Sequence, residues 1–580
     1  MARRFEIGCW SVAASAVLLG VIPAHANWPA TGTPIIVAAC EETPTAAVAD
    51  ASGGMFVFWT DNRTCGRNDV YVQRLKVSGA VATGWPGLGM PVCTVTGGQG
   101  SAAAVSDGVG GAIVIWEDSR SGQAHLYAQR IGPTGARLWS PAGVPLCDAT
   151  GDQVWFDMIS DGGGGVFVGW MDTRRGLDDR TPHHHPLYDL YAQHLDRLGA
   201  RTWATTGNPV ATNALVQAAP SLVTDGGSGV LITWFDSRGP AYLQHLDGSG
   251  SAHLLQDGVA VAGRFLGIND DGLGLVAADG AGGMISAFMY GPDTQHDLYA
   301  QRVDSTGTLV WPLDGVLVAS APFDQRPNAI LPDGNGGAFI ASHDLRNGKD
   351  WDVYVQRITS AGAAAPGWPQ NGLVVCTAPG FQIYPKLIPN FEGGCLLAWY
   401  DARDSASAYD IYAQQLTAQG VVTSGWPASG VALCKASGDQ SRPLPVSDGA
   451  GGALVAWSDY RVYADVYAQR VSALGVVGDT SAIVAVEPPG TTGFALGPVF
   501  PNPLVGQMLL VPVSLPSTSP AELSLLDVQG RLLAQQAVPS GSAGSLVVQL
   551  KTPTRLSPGV YLIRLAQAGR MSSRAVSIVN

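Results

Sequence analysis

From residue 53 onward a fixed order of apolar and polar positions recurs along the chain. Two glycines are followed by four apolar residues and an aromatic, at Gly53-Gly54 to Trp59, Gly110-Gly111 to Trp116 and Gly164-Gly165 to Trp170. Later copies put Trp234, Phe288, Ser342, Trp399 and Trp457 at the aromatic site, giving eight units at spacings of 57, 54, 64, 54, 54, 57 and 58 residues. Self-similarity at such a period marks a repeat architecture.

The second unit shows the internal grammar: Ala102 to Ser106, the turn Asp107-Gly-Val-Gly-Gly111, Ala112 to Trp116, Asp118-Ser-Arg120, Leu126-Tyr127-Ala128-Gln129-Arg130, Gly135, then Trp139 to Cys147. The Asp-Gly-x-Gly-Gly turn supplies positive-φ positions for a hairpin. A run such as Ala112-Ile-Val-Ile-Trp116 is what a strand covered on both faces looks like, whereas the third segment alternates. The fourth is expected to begin at its Trp, usually Trp-Pro, and to run through Gly to an apolar end. Four-stranded units stacked by their apolar faces predict an all-β chain whose repeats are the blades of an eight-bladed β-propeller. Seven or nine blades, or two smaller rings, are the alternatives.

The chain ends bear on closure. Unit eight stops after Tyr467-Ala-Gln469-Arg470 with no Trp-Pro segment behind it, while Trp28-Pro29 to Val37 stands alone before unit one. An N-terminal strand completing the last blade would remove the open sheet edges of a linear array.

Composition narrows the class. Gly is 74 of 580 residues and charged residues only 14%, against usual shares of ~7% and ~25%, which excludes coiled coils, helical bundles and charged disorder. A net charge of −13 without a Lys/Arg run argues against nucleic acid or an anionic membrane as partner. Arg3 and Arg4, the apolar stretch from Trp10 to Ile22 and Ala24-His25-Ala26 read as an export signal cleaved between Ala26 and Asn27. No later run reaches the ~18 apolar residues of a membrane helix, so no transmembrane segment is expected.

Trp457-Ser-Asp459-Tyr-Arg461 followed by Asp465-Val-Tyr467 resembles the repeats of TolB-type propellers, over about 25 residues per unit. The units here are longer and add the Trp-Pro segment, so the partners of that family are not carried over. After Arg470 the grammar changes. Short alternating segments, Met508 to Leu515, Ala521 to Val528, Leu532 to Val538, Ser545 to Leu550, Val560 to Leu565 and Ala575 to Val579, predict a small immunoglobulin-like β-sandwich. Pro501-Asn502-Pro503, Leu526-Asp527-Val528-Gln529-Gly530-Arg531, Leu556-Ser557-Pro558-Gly559-Val560-Tyr561 and Arg574 resemble the C-terminal sorting domain of type IX secretion cargo, and the outline is also similar to the FlgD-type Ig-like domain. The resemblance implies export machinery as a partner and a secreted protein, or one on the outer surface of a Gram-negative-type bacterium. The family usually has Lys where Arg574 stands.

Repetition also sorts the candidate chemistry. Asp61/Arg63, Asp118/Arg120, Asp172/Arg174, Asp236/Arg238, Asp344/Arg346, Asp401/Arg403 and Asp459/Arg461 recur in seven units. An active site does not need seven copies. They are expected to form charge-assisted hydrogen bonds that hold the loop between strands two and three, with the strand-three Asp as a second partner of each Arg. The Trp set is expected to be core rather than a sugar platform. Unit three alone has a long loop, Arg175 to Pro186, where Asp178, Asp179, His183 and His185 are weak metal candidates; an exposed polar loop is the plainer reading. Asp follows Trp here instead of preceding it, which speaks against a sialidase-type turn. No cofactor is expected, and neither a catalytic set nor a ligand-binding set is identifiable.

Cys93, Cys147, Cys376 and Cys434 hold one position in four units and, with Cys395, read as small buried hydrophobes. Cys40 and Cys65 occur in unit one alone, on connections that lie on the same face of a propeller, and are expected to form a disulfide; two separate thiols are the alternative.

The domain plan is therefore a signal peptide at 1–26, a propeller at 27–480, a linker at 481–497 and an Ig-like sorting domain at 498–580. The chain is read as a monomeric secreted or cell-surface protein that binds a glycan, peptide or protein, with a secreted polysaccharide hydrolase or lyase as the alternative.

Overall fold

The apolar run that ends each Gly-Gly motif becomes a central strand because it is covered from both sides. In Met55–Asp61, Phe56 and Phe58 pack with Val114 and Trp116 of the next unit, while Met55, Val57 and Trp59 pack with Leu454, Ala456 and Val466 of the last. The computed structural model describes residues 28–50, 52–176, 187–239, 241–261, 275–292, 295–390, 392–404 and 408–478, then 495–496, 508–515, 517–526, 531–538, 544–553, 556, 559–568 and 570–578. Among the described residues every regular element is a β-strand.

Residues 33–471 form four-stranded antiparallel sheets, eight among the described residues. Sheets one to eight open on the strands Glu42–Ala49, Gln99–Ser106, Gln153–Ser160, Gln217–Thr224, Leu275–Ala278, Gln325–Pro332, Gln382–Pro389 and Gln440–Ser447. Each opening strand packs beside that of the next sheet, and Gln440–Ser447 packs beside Glu42–Ala49. In sheet eight the outer strand is Thr33–Ile36, antiparallel to Asp465–Val471 with Thr33 opposite Ala468 and Pro34 opposite Tyr467.

The fourth strand is shorter than its sequence pattern. In sheet two it is Val144–Pro145, not Trp139 to Cys147. Trp139 is set in place by a side chain instead of a ladder: Gln129 Oε1 accepts its N–H at 3.0 Å, and Gln129 Nε2 donates to Ser140 O at 2.8 Å. The equivalent Gln donates in the same way in the other sheets, ending with Gln469 to Pro29 O at 2.6 Å. Gly89, at φ +71°, completes the fit, because a Cβ there would lie 2.2 Å from the Trp59 indole.

The displaced Trp crosses to the neighbouring sheet. Trp85 Nε1 donates to Pro133 O at 3.1 Å, in the turn that follows strand three of sheet two, and Arg74 Nη1 donates to the same oxygen at 2.7 Å. The pairs Trp139 and Arg130 on Arg197 O, Trp311 and Arg302 on Ser360 O, and Trp368 and Arg357 on Ala418 O repeat this. Trp28, from the segment that joins sheet eight, donates to Val77 O of sheet one at 2.9 Å.

Beyond residue 490, Ala495–Leu496, Met508–Leu515 and Gly544–Lys551 make one sheet, and Leu532–Ala537, Ala521–Leu526, Gly559–Gln567 and Arg570–Ile578 another. Their inward side chains, among them Leu509, Val511, Leu523, Leu550, Ile563 and Val576, share one core. The last strand begins five positions before the Ala575 that the alternation suggested.

Candidate functional site

The recurring Asp and Arg meet within each unit. Arg Nε donates to the Asp Oδ1 two residues earlier at 2.7–2.9 Å in all seven pairs. In six of them the other oxygen also accepts the Trp indole N–H from the same strand, as from Trp116 to Asp118 at 2.9 Å. Burial works to raise the Asp118 carboxyl, but the bonds from Arg120 and Trp116 outweigh it and leave it below the ordinary carboxylate value. The other contacts of the Arg differ from expectation. Its guanidinium lies 3.5–4.1 Å from the ring centre of the strand-three Tyr, as Arg120 does over Tyr127. The strand-three carboxylates instead serve neighbouring backbone or other cations: Asp69 accepts the Gly97 N–H, Asp465 the Ala38 N–H, and Asp189 pairs with Arg175. Strand pairing places Asp69 opposite Asp61, and its carboxylate is taken up by the Gly97 N–H.

A second pairing has no counterpart in the sequence reading. The Asp of the hairpin turn accepts from the strand-three cation of its own unit, as Asp50 from Arg74 at 2.8 Å and Asp107 from Arg130 at 3.0 Å; His194 and His245 replace Arg in sheets three and four. The signal was present, since Asp at the turn and Arg five residues into strand three both recur.

Cys40 and Cys65 form a disulfide with Cα atoms 5.6 Å apart. Cys93, Cys147, Cys376, Cys395 and Cys434 are free and buried. Four of them are more than apolar filling: an Arg of the next sheet reaches Cys93, Cys147, Cys376 and Cys434 at 3.8, 3.3, 2.9 and 3.6 Å. Burial pushes the Cys376 and Cys434 thiols up to about 11. These side chains build the frame; chemistry must be sought where the units differ.

They differ at the third residue of the opening strand. There the strand bulges, and Ser101, Trp155, Ala219, Tyr384 and Arg442 take left-handed φ values of 46, 50, 52, 53 and 55°. Pro44 and Pro327 stand at this position in sheets one and six, where the fixed proline φ forbids that conformation. Strained non-glycine residues held by a surrounding frame mark candidate functional positions. Trp155 is 56% exposed, and its N–H donates to Glu117 Oε1 at 3.2 Å. Tyr384 lies 5.5 Å from His343 and 5.3 Å from Tyr400, ring to ring, and Trp351 lies 4.5 Å from His343.

One to three residues further along the same strands is a cavity of about 490 Å³, walled by apolar groups such as Met158, Leu222 and Leu387 and by the polar Asp157, Ser221, Asn328 and Lys386. Asp157 accepts the N–H groups of Met158 and Leu222, both at 2.8 Å, and burial pushes its carboxyl up to about 6. Asn328 is 2% exposed and its Nδ2 has no hydrogen-bond partner.

Asp178, Asp179, His183 and His185 lie outside the described residues, as do Ala26 and Asn27. Among the described residues no three His, Cys, Asp or Glu side chains come together to hold a metal, and no helix is long and apolar enough to cross a membrane.

Antiparallel four-stranded sheets, stacked in sequence around a cavity walled by their opening strands, define a β-propeller. No protein family and no curated protein matches the sequence. Among solved structures, the chain is similar to an ulvan lyase at 13% identity, over 55% of this chain and 79% of that one, with a TM-score of 0.36. The β-propeller domain of the Trilobed protease from Pyrococcus furiosus matches at 9% identity, over 62% and 91%, with a TM-score of 0.36. An α-L-arabinofuranosidase from Clostridium thermocellum matches at 12% identity, over 45% and 89%, with a TM-score of 0.25. Likenesses this weak carry no argument about activity.

Proposed function

We propose that residues 27–480 are an eight-bladed propeller closed by the N-terminal strand, whose rim at the opening-strand bulges binds an extracellular glycan, peptide or protein. Closure is supported by Thr33–Ile36 in sheet eight and by the bond from Trp28 to Val77 of sheet one. The observation that carries the binding role is the contrast between a frame repeated in nearly every unit and one strained position that varies, bearing Trp155, Tyr384 and Arg442. Trp, Tyr and Arg are the side chains that dominate binding energy at recognition surfaces. The hydrolase or lyase alternative needs convergent acid and base groups; the described cavity wall holds one carboxylate, Asp157. Binding is therefore the preferred reading.

The C-terminal sandwich is proposed to be an Ig-like export domain of the type IX sorting or FlgD kind, reached through a linker at 481–497 and preceded by a cleaved signal peptide. The protein is then secreted or displayed on the outer surface of a Gram-negative-type bacterium.

Two experiments test these readings. On glycan and peptide arrays, Trp155→Ala, Tyr384→Ala and Arg442→Ala should each weaken capture of the ligands that the wild type selects, with the melting temperature unchanged in the exposed Trp155→Ala and Arg442→Ala. Undiminished capture by all three would move the site elsewhere. In a host with type IX secretion, removal of residues 498–580 should leave a folded propeller in the periplasm, and unchanged surface delivery would overturn the sorting role.

A further inference from the structure

Glu42 opens the first strand of sheet one, where the equivalent residues of six other sheets are Gln99, Gln153, Gln217, Gln325, Gln382 and Gln440. In five of those sheets the Gln Nε2 donates to a carbonyl two to four residues upstream: Val95, Leu215, Phe323, Gly380 and Gly438. A carboxylate accepts but cannot donate. Glu42 is nonetheless fully buried, and neither of its side-chain oxygens has a hydrogen-bond partner.

Its surroundings do not favour a charge. Asp61 and Arg63 face it from sheet one, Asp465 from strand three of sheet eight, and Glu41 from the preceding position. Arg63 is the one cation among these groups, and it is already bidentate to Asp61. Burial, reinforced by Asp61 and Asp465, pushes the Glu42 carboxyl up to about 8. No three acidic or His side chains here are placed to share a metal, among the described residues. A proton is left as the neutralising species.

The location gives this a structural meaning. The Glu42 N–H donates to Ala464 O of sheet eight at 2.7 Å, and the Ala38 N–H donates to Asp465 at 3.2 Å. Cys40, two residues before Glu42, is tied to Cys65 of sheet one. We propose that Glu42 is a proton-operated latch on the seam between sheets eight and one. Protonated, it is uncharged like the sister glutamines and adds no charge to the buried seam. Ionised, it sets a further negative charge beside Asp61 and Asp465, and the seam loosens while the disulfide keeps the segment tethered.

The sign follows from the raised carboxyl. Stability from Glu42 is fully present below its ordinary value near 4.5 and is lost as pH rises through about 8. Asp189, Asp352, Asp410 and Asp465 are raised as well, so the diagnostic quantity is the difference between wild type and Glu42→Gln. The test is hydrogen exchange and thermal melting of the full, disulfide-intact chain at pH 5, 7 and 9. Wild type should lose amide protection at residues 33–49 and 465–471 as pH rises; Glu42→Gln should keep it and melt higher than wild type at pH 9. Parallel pH profiles for the two proteins would overturn the latch. So would full recovery of the wild-type seam at pH 9 with millimolar calcium, which would mean a cation site. Should Glu42→Gln fail to fold, infrared titration of the Asp352→Asn protein, which lacks the other carboxyl raised to about 7, decides: a protonated carboxyl band persisting through pH 7 and fading near pH 8 supports the latch, and its absence at pH 7 overturns it.

Discussion

The Trp28 indole donates to the carbonyl of Val77, 49 residues away, across the boundary between two sheets. Trp426 makes the same bond to Ala473 at 2.9 Å from within the repeats. The N-terminal segment thus occupies the place of a missing fourth strand. Trp28→Ala should cost about 3–5 kcal/mol, as for a large aromatic removed from a core, and should match Trp426→Ala in urea denaturation. A Trp28→Ala midpoint equal to wild type would show that the segment contributes no more than a tail.

The Cys40–Cys65 bridge closes a separation of 25 residues. Its removal by Cys40→Ala with Cys65→Ala should lower stability by about 3 kcal/mol in the chain-entropy view. Under non-reducing native conditions none of the seven cysteines beyond the signal should take up an alkylating reagent quickly, two being bonded and five buried. Peptide mapping checks both statements, and rapid labelling of Cys40 or Cys65 would contradict the bridge.

Asp118→Asn tests the frame. It removes the charge that Arg120 and Trp116 share, leaving a half-buried guanidinium without its counter-ion. Breaking such a pair from one side costs about 3–5 kcal/mol. The double variant Asp118→Asn, Arg120→Met should lose less than the sum of the two single changes, as a thermodynamic cycle in denaturant would show.

Asp352 supplies a pH dependence away from the seam. Burial first, then Asp350 and Asp344, pushes its carboxyl up to about 7. Its contribution is therefore complete below the ordinary carboxylate range and lost as pH rises through about 7. Asp352→Asn should unfold at the same urea concentration as wild type at pH 4 and at a higher one at pH 8. A wild-type advantage at pH 8 would reverse the assignment.

Much of the frame was legible because it repeats. Gly-Gly followed by an apolar run and Trp gave the central strands, and the lone Trp28-Pro29 segment pointed to its place beside Asp465–Val471. The fourth strand was over-extended because Trp139 reads as a strand former, whereas Gln129 and the neighbouring turn hold it outside the ladder. The strand-three Asp acts on the Arg through space in several units, as Asp465 with Arg461 and Asp352 with Arg346, but its hydrogen bonds go elsewhere, and sequence distance does not show which. The rim escaped notice for a different reason: a left-handed φ at Trp155 or Tyr384 leaves no mark in residue type. What could have revealed it is the contrast between a near-constant Gln and the shifting residue two places later.

The convergence of Trp85 and Arg74 on the Pro133 carbonyl has one further implication. Units one, two, five and six offer indole and guanidinium forward and a turn carbonyl backward, so both halves of the contact are encoded within those copies. A copy of one of these units placed beside another would bring its own matching surfaces, whereas the junction between sheets eight and one depends on Trp28 of the N-terminal segment. That interchangeability is weaker in unit four, where Leu254 replaces the tryptophan and His245 alone reaches Ser305, and in units three and seven, where Trp203 and Trp426 make the bond without an Arg beside them.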